Sequence, residues 1–193
     1  NRLKLMLAGP PGVGKSLAAT QFPKVYFIDS ERGAEGRDYK QSIIDGGGDY
    51  LGVDDGGADP DEVLGQVEAL TKTRHDYRTL VLDSFTTLFE AKQDEGARKV
   101  GTEYGKHTDY ANRWAKQLFR LLTLLDMNVV VTSHVKDSWS GGEKGAPVPD
   151  GFKKASYLFD LVLMLERNGL KRIAMVEKTR YAEFPDRDRF EWS

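Results

Sequence analysis

The most informative stretch of the chain runs Gly9-Pro10-Pro11-Gly12-Val13-Gly14-Lys15-Ser16, or "GPPGVGKS". It matches the pattern G-x-x-x-x-G-K-[ST] in full, directly after an apolar run and directly before a helical pattern, which is the context that this motif requires. Such glycines let backbone N–H groups turn inward around phosphate oxygens, and the lysine can reach the β- and γ-phosphates of a nucleotide. An ordinary glycine-rich turn is the alternative, but a chance match in this context is rare. We therefore predict a phosphate-binding loop whose contacts are Gly9, Pro10, Pro11, Gly12, Val13, Gly14, Lys15, Ser16 and Leu17.

A second apolar run, Thr79 to Asp83 ("TLVLD"), ends in an acid. An acid at the end of a strand is commonly the N-cap of the next helix. With a phosphate-binding loop upstream it is instead the natural Walker B acid, so we expect Asp83 and Ser16 to hold Mg²⁺. The next residue is Ser84, whereas many P-loop ATPases carry there a glutamate that activates water. The catalytic base must therefore come from elsewhere in the chain.

The candidates for this base follow the strand that comes after the phosphate-binding loop. The segment "VYFIDSERGAE" supplies Asp29, Glu31 and Glu35. Glu31 is the best placed, because it lies just beyond the carboxyl end of the strand, where ligands bind in open α/β sheets. A carboxylate there could orient water against the γ-phosphate. The alternative is a solvated loop carboxylate paired with Arg32 or Arg37.

Short apolar runs rich in β-branched residues alternate with helical patterns along the chain. The runs suit strands buried on both faces, and the alternation predicts an α/β fold with a mostly parallel, doubly wound sheet flanked by helices. The predicted strands are Leu3–Ala8, Val25–Asp29, Thr79–Asp83, Asn128–Ser133, Asp160–Leu165 and Arg172–Lys178. The predicted helices are Lys15–Gln21, Pro60–Arg74, Phe85–Ala97 and Thr108–Leu125, and core packing is expected for Phe85, Phe89, Phe119 and Met164. Two glycine-rich segments, Asp45–Pro60 and Asp137–Gly151, are expected to be exposed, irregular loops.

Composition sets further bounds. No linker or change of composition divides the chain, so we expect residues 1–193 to form one domain. The absence of cysteine excludes disulfides and thiolate metal sites, and His75 and His107 have no neighbouring ligand pattern. A formal net charge of −2 does not indicate a globally basic nucleic-acid binder, although local basic loops remain compatible with one. No apolar run approaches the roughly 20 residues that span a bilayer, and no signal peptide is evident, so we expect a cytoplasmic protein.

Several of these features together resemble the RecA-type recombinase and helicase ATPase core. They are the phosphate-binding loop, the strand ending "FIDSE", the "VLDS" without an adjacent glutamate, and a later strand with a polar end. In that family the catalytic glutamate lies on the strand after the P-loop helix, which corresponds to Glu31, whereas AAA+ proteins usually place it directly after the Walker B acid. The compact size and the form of the loop look most like the phage-encoded minimal RecA-like proteins of the Sak group, implicated in single-strand annealing. The resemblance implies ATP as the nucleotide and the cytoplasm of a bacterial host as the location.

The resemblance also implies roles for residues at the ends of later strands. His134, after "NVVVTS", takes the place of a glutamine that senses the γ-phosphate in RecA-like proteins; the alternative is a histidine bonded to local backbone. Lys178 and Arg180 resemble a K-x-R element that reaches the ATP site of a neighbouring subunit, and a cation there would stabilise the transferring phosphoryl group. They lie on the same side if the strand continues; the alternative is a solvated pair on an edge strand.

Two segments lie where recombinases hold their DNA-binding loops. Mobile cations in them can neutralise phosphates, and an aromatic side chain can stack on a base, which holds single strands without sequence preference. Nearby acids dilute the charge, so an uncommitted surface loop is the alternative. The candidates for DNA contacts are Arg98, Lys99 and Lys106 in the first segment, and Lys136, Trp139, Lys144, Lys153 and Lys154 in the second.

These patterns favour a magnesium-dependent, RecA-like ATPase that binds single-stranded DNA as a homo-oligomer and supports annealing or recombination. Two other classes stay open from the sequence: a P-loop kinase that phosphorylates a small molecule, and a KaiC-like regulatory ATPase that acts on protein partners. A GTPase is disfavoured, because no N-K-x-D segment for reading guanine is present.

Overall fold

The computed structural model describes residues 2–34, 39–140 and 142–192. Its main sheet has eight strands in the order β10-β9-β8-β1-β5-β4-β2-β3. The strands are β1 (Lys4–Ala8), β2 (Val25–Asp29), β3 (Asp49–Leu51), β4 (Thr79–Asp83), β5 (Asn128–Ser133), β8 (Leu161–Asn168), β9 (Lys171–Thr179) and β10 (Arg189–Glu191). A separate two-stranded sheet consists of β6 (Val135–Ser140) and β7 (Glu143–Pro149).

Most of the main sheet is parallel. The neighbours from β8 through β1, β5, β4 and β2 to β3 pair in parallel, while β9 and β10 add to one edge in antiparallel fashion. The central strands are buried on both faces, as Thr79–Asp83 illustrates at all five positions. The predicted class, a mostly parallel α/β sheet flanked by helices, is confirmed.

Helices cover both faces of this sheet. They are α1 (Lys15–Thr20), α2 (Tyr39–Asp45), α3 (Pro60–Lys72), α4 (Phe85–Val100), α5 (Lys106–Leu124) and α6 (Ala155–Leu158). Because side chains alternate along a strand, Leu80 and Leu82 pack with α3, α4 and α5, whereas Val81 packs on the side of α1 and α2. Phe85 lies in the core between the sheet and helices α3, α4 and α5. Its ring centroid is 4.9 Å from that of Phe119 and 6.2 Å from that of Trp114.

Local signals explain the helix boundaries. The Asp59 carboxylate accepts hydrogen bonds from the backbone N–H groups of Asp61 and Glu62, so it is the N-cap of α3. Pro60 follows at the first helical position, where its missing N–H costs nothing. Of the expected core residues, Phe85, Phe89 and Phe119 are buried, whereas Met164 is only half-buried.

Two expectations about loops are wrong. Much of Asp137–Gly151 is an antiparallel hairpin, β6–β7, in which Trp139 opposes Lys144. Nearly all of β7 is exposed, so the hairpin needs no alternating apolar pattern and its sequence does not reveal it. In Asp45–Pro60 the structure has the short edge strand β3 and a 3₁₀ turn at Val53–Asp55. Among the described residues, no helix combines the length and apolar character that crossing a bilayer requires.

Candidate functional site

The sheet order brings the predicted site residues to one edge. The strands β1, β5, β4 and β2 are consecutive neighbours, and all four run in the same direction. The phosphate-binding loop follows β1, His134 follows β5, Asp83 ends β4 and Glu31 follows β2. These residues line one cavity of about 430 Å³. Residues far apart in sequence therefore meet at the carboxyl ends of parallel strands, where open α/β folds bind ligands.

The backbone of the phosphate-binding loop depends on its glycines. Gly12 and Gly14 have φ angles of 77° and 96°, in the left-handed region that other residues rarely adopt. Gly9 is required for another reason: a Cβ on it would lie 2.6 Å from the carbonyl oxygen of Leu165. The loop can thus curl tightly against β8 and present backbone N–H groups to an anion, so its shape fits a nucleotide's phosphates.

Lys15 is a buried cation whose partners are neutral. Its Nζ donates to the carbonyl oxygens of Gly9 at 2.8 Å and Pro10 at 3.0 Å. Burial lowers its pKa, and the negative charges of Asp83 and Glu31 offset part of that effect. An anionic phosphate would be a stronger partner for this amine than two carbonyl groups are.

Asp83 lies deeper in the same site and is only 5% exposed. Burial raises the pKa of this carboxyl, while hydrogen bonds from the hydroxyls of Ser16 and Thr132 act in the opposite direction. The donors gathered here are hydroxyl and carboxylate oxygens, which are the ligands that Mg²⁺ prefers. Ser16 and Asp83 could therefore hold a magnesium ion. In the described part of the chain, no group of three or more His, Cys, Asp or Glu side chains offers another metal site.

Glu31 is held by three side chains. Ser84 Oγ donates to Glu31 Oε1 at 2.5 Å, Thr87 Oγ1 donates to the same oxygen, and His134 Nε2 lies 3.0 Å from it. Burial alone would raise the pKa of Glu31, but the hydrogen bonds from Ser84, Thr87 and His134 and the charge interaction with His134 outweigh it, so the pKa is lowered. The carboxylate is thus ionised at neutral pH and fixed in orientation. In the part of the chain that the structure describes, all three contacts fall on Oε1, which leaves Oε2 available.

Asp29 organises the segment that carries Glu31. Its Oδ1 accepts from the N–H groups of Glu31 at 2.9 Å and Gly33 at 3.2 Å. Its Oδ2 accepts from the N–H of Ala34 and the hydroxyl of Tyr50, both at 2.8 Å. Asp29 is therefore a positioning residue. The third candidate acid, Glu35, lies outside the described residues, as does Arg37, one of the two partners suggested for a solvated Glu31.

His134 connects the site to the β6–β7 hairpin. Its backbone N–H donates to Thr86 Oγ1 at 2.9 Å, and its carbonyl accepts from the N–H of Asp150 at 2.8 Å. The Asp150 carbonyl in turn accepts from the hydroxyls of Thr86 and Ser133, at 3.1 and 3.0 Å. The base of the hairpin is thus bonded to the strand that positions His134.

The structure corrects the expectation for Lys178 and Arg180. The strand β9 ends at Thr179, so the two side chains do not follow one continuing strand. Lys178 Nζ donates to the carbonyl oxygens of Ser156, Tyr157 and Phe159 at 2.7 to 3.0 Å, which uses all three ammonium hydrogens at the end of α6. Arg180 is exposed and pairs with Asp160 at 2.8 Å. Of these two cations, Arg180 is the one whose side chain is exposed and could reach a neighbouring subunit.

The predicted DNA contacts fall into two groups. Lys136, Lys153 and Lys154 line a second cavity, of about 490 Å³, between α4, α5 and the segment before α6. Lys116, which the sequence analysis did not single out, joins them from α5. Arg98 and Lys99 lie in the last turn of α4, Lys106 begins α5, and Trp139 and Lys144 lie on the hairpin.

Acidic partners reduce the charge that several of these cations present. Lys136 pairs with Asp150 at 2.6 Å, Lys144 with Asp137 at 2.8 Å, Lys99 with Glu95, and Lys106 with Glu103 at 3.9 Å. Among the described residues, neither Lys153 nor Lys154 makes an ion pair. Trp139 is 67% exposed.

Sequence reasoning missed several residues of the site. Ser84 and Thr87 were not recognised as partners of Glu31, because that contact depends on the pairing of β2 with β4, in which Asp29 lies opposite Asp83. Arg167 and Arg172 line the same cavity from β8 and β9, but the sequence placed Arg172 only in a predicted strand and assigned Arg167 to no element. A run of alternating residues that turns back at Asn168-Gly169 was the available signal for that hairpin.

A family model described as an AAA domain matches residues 1–190. The chain belongs to this AAA domain family. Among solved structures, this AAA domain is similar to the crystal structure of the RadB recombinase, with a TM-score of 0.59 and 16% sequence identity over 98% of this chain and 86% of that chain.

The likeness to RadB shows the fold alone, which is RecA-like. Family and fold together support a P-loop NTPase with a RecA-like fold. A search of curated proteins gave no match. The narrower resemblance to the Sak group stays a prediction.

Proposed function

We propose that this AAA domain binds ATP with Mg²⁺, hydrolyses it, and couples the nucleotide state to binding of single-stranded DNA. The observation that carries the proposal is the placement of Glu31, ionised and held by Ser84, Thr87 and His134, in the same cavity as Lys15 and Asp83. A solvated loop carboxylate would not require three side-chain partners. The arrangement instead fits a base that must keep one orientation.

Different residues of the chain have different roles in the proposed hydrolysis. The loop from Gly9 to Ser16 and the Lys15 ammonium hold the phosphates, while Ser16 and Asp83 would hold Mg²⁺. When bound, Mg²⁺ supplies neutralisation of the charge on the phosphoryl oxygens. Glu31 orients a water molecule through Oε2 and accepts its proton as the water oxygen bonds to the γ-phosphorus. The bond from that phosphorus to the bridging oxygen breaks, ADP leaves with the electron pair, and the proton on Glu31 passes to solvent.

His134 is proposed to report the state of the γ-phosphate. Its imidazole contacts the carboxylate of Glu31, and its backbone is bonded to Thr86 and to Asp150 at the base of the β6–β7 hairpin. A change in the contacts of Glu31 and His134 would therefore be transmitted to the hairpin. Trp139 on this hairpin is exposed and could stack on an unpaired base.

The proposed DNA surface combines the hairpin with the lysine-lined cavity. Lys116, Lys136, Lys153 and Lys154 provide cations for a phosphate backbone. The fully exposed Tyr104, in the α4–α5 connection near the predicted contacts Arg98, Lys99 and Lys106, offers a second aromatic surface. The similar fold of a protein named a recombinase favours annealing or recombination as the use of this surface.

Assembly into a homo-oligomer belongs to the same proposal. The Arg180 side chain is 60% exposed, and within the described part of the chain it pairs with Asp160. A neighbouring subunit's nucleotide would offer this guanidinium a more highly charged partner, the γ-phosphate. Lys178 would act differently, by fixing the end of α6 next to Asp160.

Nucleotide-dependent binding of an oligonucleotide tests the proposal. A fluorescently labelled oligo(dT) should bind more tightly with ATP than without nucleotide, and Lys15→Ala should remove that difference. The double variant Lys153→Gln/Lys154→Gln should weaken binding about tenfold, since two phosphate contacts are lost. Anisotropy of the label measures both effects.

The matched control for this test is Lys24→Gln/Lys72→Gln. It removes the same two charges, but at the ends of elements on the opposite edge of the sheet, where β2 begins and α3 ends. It should bind the oligonucleotide nearly as the unmodified protein does. An equal loss of oligonucleotide affinity in both double variants would show that the effect depends on net charge alone. No binding of the oligonucleotide by the unmodified protein would refute the DNA-directed function.

A further inference from the structure

The nucleotide cavity has a second wall made of two arginines from the β8–β9 hairpin. Arg167 and Arg172 both line it, together with residues of the phosphate-binding loop. The chain reverses at Gly169, whose φ is 63°, so the two arginines lie directly across from each other in the antiparallel pairing. Side chains directly opposite in such a pair lie on the same face of the sheet.

This placement is unfavourable for the protein alone. Two like charges directly opposite each other on a sheet are destabilising. Other cations of the same sheet edge have carboxylates: Lys171 pairs with Glu191 at 2.8 Å, and Arg189 pairs with Glu166. Within residues 2–34, 39–140 and 142–192, neither Arg167 nor Arg172 makes an ion pair. The arginine pair therefore has no countercharge among the described residues, and a bound anion would supply one.

The pair also lies close to the phosphate-binding loop itself. A Cβ built on Gly14 would be 3.6 Å from Arg172 Nη1 and 3.5 Å from Trp192 Nε1. The backbone N–H of Trp192 donates to the carbonyl of Arg172 at 2.7 Å, which ties the C-terminal segment to this wall. Guanidinium and indole N–H groups thus approach the loop from the side opposite Glu31 and Asp83. Planar guanidinium groups match phosphate oxygens with two parallel hydrogen bonds.

We propose that Arg167 and Arg172 form an arginine clamp, supplied by the same chain, that binds the polyphosphate of the nucleotide held by the phosphate-binding loop. The clamp rests on the proposed nucleotide binding and adds a second set of charged donors to it. It favours di- and triphosphates over monophosphates, because a longer anionic chain can contact the loop and both arginines together. It also explains why two uncompensated cations are kept opposite each other.

Isothermal titration calorimetry on single variants tests the clamp. Arg167→Gln and Arg172→Gln should each weaken binding of ADP and of a non-hydrolysable ATP analogue by about tenfold or more, as the loss of a charge-assisted hydrogen bond predicts. Binding of AMP should change less, and binding of adenosine should not change. The melting temperature of the ligand-free variants should equal or exceed that of the unmodified protein, since one of two opposed charges is gone.

Two controls make the outcomes distinguishable. Arg189→Gln removes an equal charge from the same sheet edge outside the cavity and should bind nucleotide normally. Lys15→Ala should lose most nucleotide affinity. If Lys15→Ala loses affinity and both arginine variants keep it, the clamp is wrong and the proposed function stands. If adenosine binding weakens as much as ADP binding, the arginines contact the nucleoside and the clamp is also wrong. If the unmodified protein binds no nucleotide, the proposed function fails and the clamp fails with it.

Discussion

At the scale of single residues, Ser84 occupies the position where many P-loop ATPases carry a glutamate, and the proposed catalytic carboxylate comes instead from a neighbouring strand. The position after the Walker B acid carries a hydroxyl, and this hydroxyl donates to the carboxylate of Glu31 on the neighbouring strand. The same hydroxyl accepts from the N–H of Thr87 as the N-cap of α4. One serine thus follows the last residue of β4, caps α4 and orients the proposed base. These roles explain why the position needs no carboxylate of its own.

Gly9 provides a prediction at this scale. A methyl group at Gly9 would meet the backbone oxygen of Leu165 at 2.6 Å, and backbone cannot move aside as a flexible side chain can. Gly9→Ala should therefore lower the free energy of unfolding by about 2 kcal/mol through overpacking. Urea denaturation gives this value.

Gly65 is the matched control for Gly9. It lies within α3, and a Cβ there would meet nothing within 4 Å. Gly65→Ala should raise the free energy of unfolding by about 0.5–1 kcal/mol, because alanine favours helix. Changes of the same sign at the two glycines would contradict the assignment of Gly9 to a close backbone approach.

At the scale of elements, burial decides which parts could be predicted. The strands Val25–Asp29, Thr79–Asp83 and Asn128–Ser133 are found with the predicted bounds, because being buried on both faces leaves a continuous apolar run. The β6–β7 hairpin lacks that signal, since its side chains are largely exposed. The short elements α2 and β3 were missed because a single edge strand and a seven-residue helix leave little periodicity between glycines.

The candidate site likewise has a part that the sequence predicts and a part that it does not. The phosphate-binding loop, Asp83 and Glu31 were recognised because each follows an apolar run in a local pattern. The contacts of Ser84 with Glu31 and of Arg172 with the loop depend on strand pairing between distant segments. The local sequence does not specify which distant strands pair, so these contacts could be identified only from the structure.

The contact between α4 and α5 provides a prediction about pH. Glu95 lies 2.6 Å from Lys92 Nζ, also pairs with Lys99, and accepts from the hydroxyl of Tyr110 at 2.8 Å. The hydrogen bonds from Lys92, Lys99 and Tyr110 lower the pKa of Glu95 to about 2. Because the folded-state pKa is depressed, the stabilisation is complete above the unfolded-state pKa of about 4.3 and is lost as pH falls toward 2.

Glu95→Gln should therefore be less stable than the unmodified protein by about 1 kcal/mol at pH 6, and this gap should shrink as pH falls below about 4. Glu103→Gln is the control, because Glu103 is exposed and lies 3.9 Å from Lys106. Its gap should be near zero throughout. Chemical denaturation at several pH values measures both, and a gap for Glu95→Gln that does not change with pH would contradict the contact.

At the scale of the whole molecule, strand order brings the site together. Placing β5 and β4 between β1 and β2 sets the phosphate-binding loop on one side of Asp83 and Glu31 on the other. The β8–β9 hairpin closes the cavity from the flank of β1, and His134 leads from the cavity to the β6–β7 hairpin. A parallel sheet with helices on both faces thus gathers one site from five separate segments of the chain.

The central claim is that this gathered site hydrolyses a nucleoside triphosphate with Glu31 as the base. Steady-state ATP hydrolysis by the unmodified protein and by Glu31→Gln, with Glu68→Gln on the outer surface of α3 as the control, tests it most directly. Glu31→Gln should bind ATP as before and lower kcat by about 100-fold or more, the usual contribution of a general base. Glu68→Gln should hydrolyse ATP normally. Hydrolysis by Glu31→Gln at the rate of the unmodified protein would contradict the account.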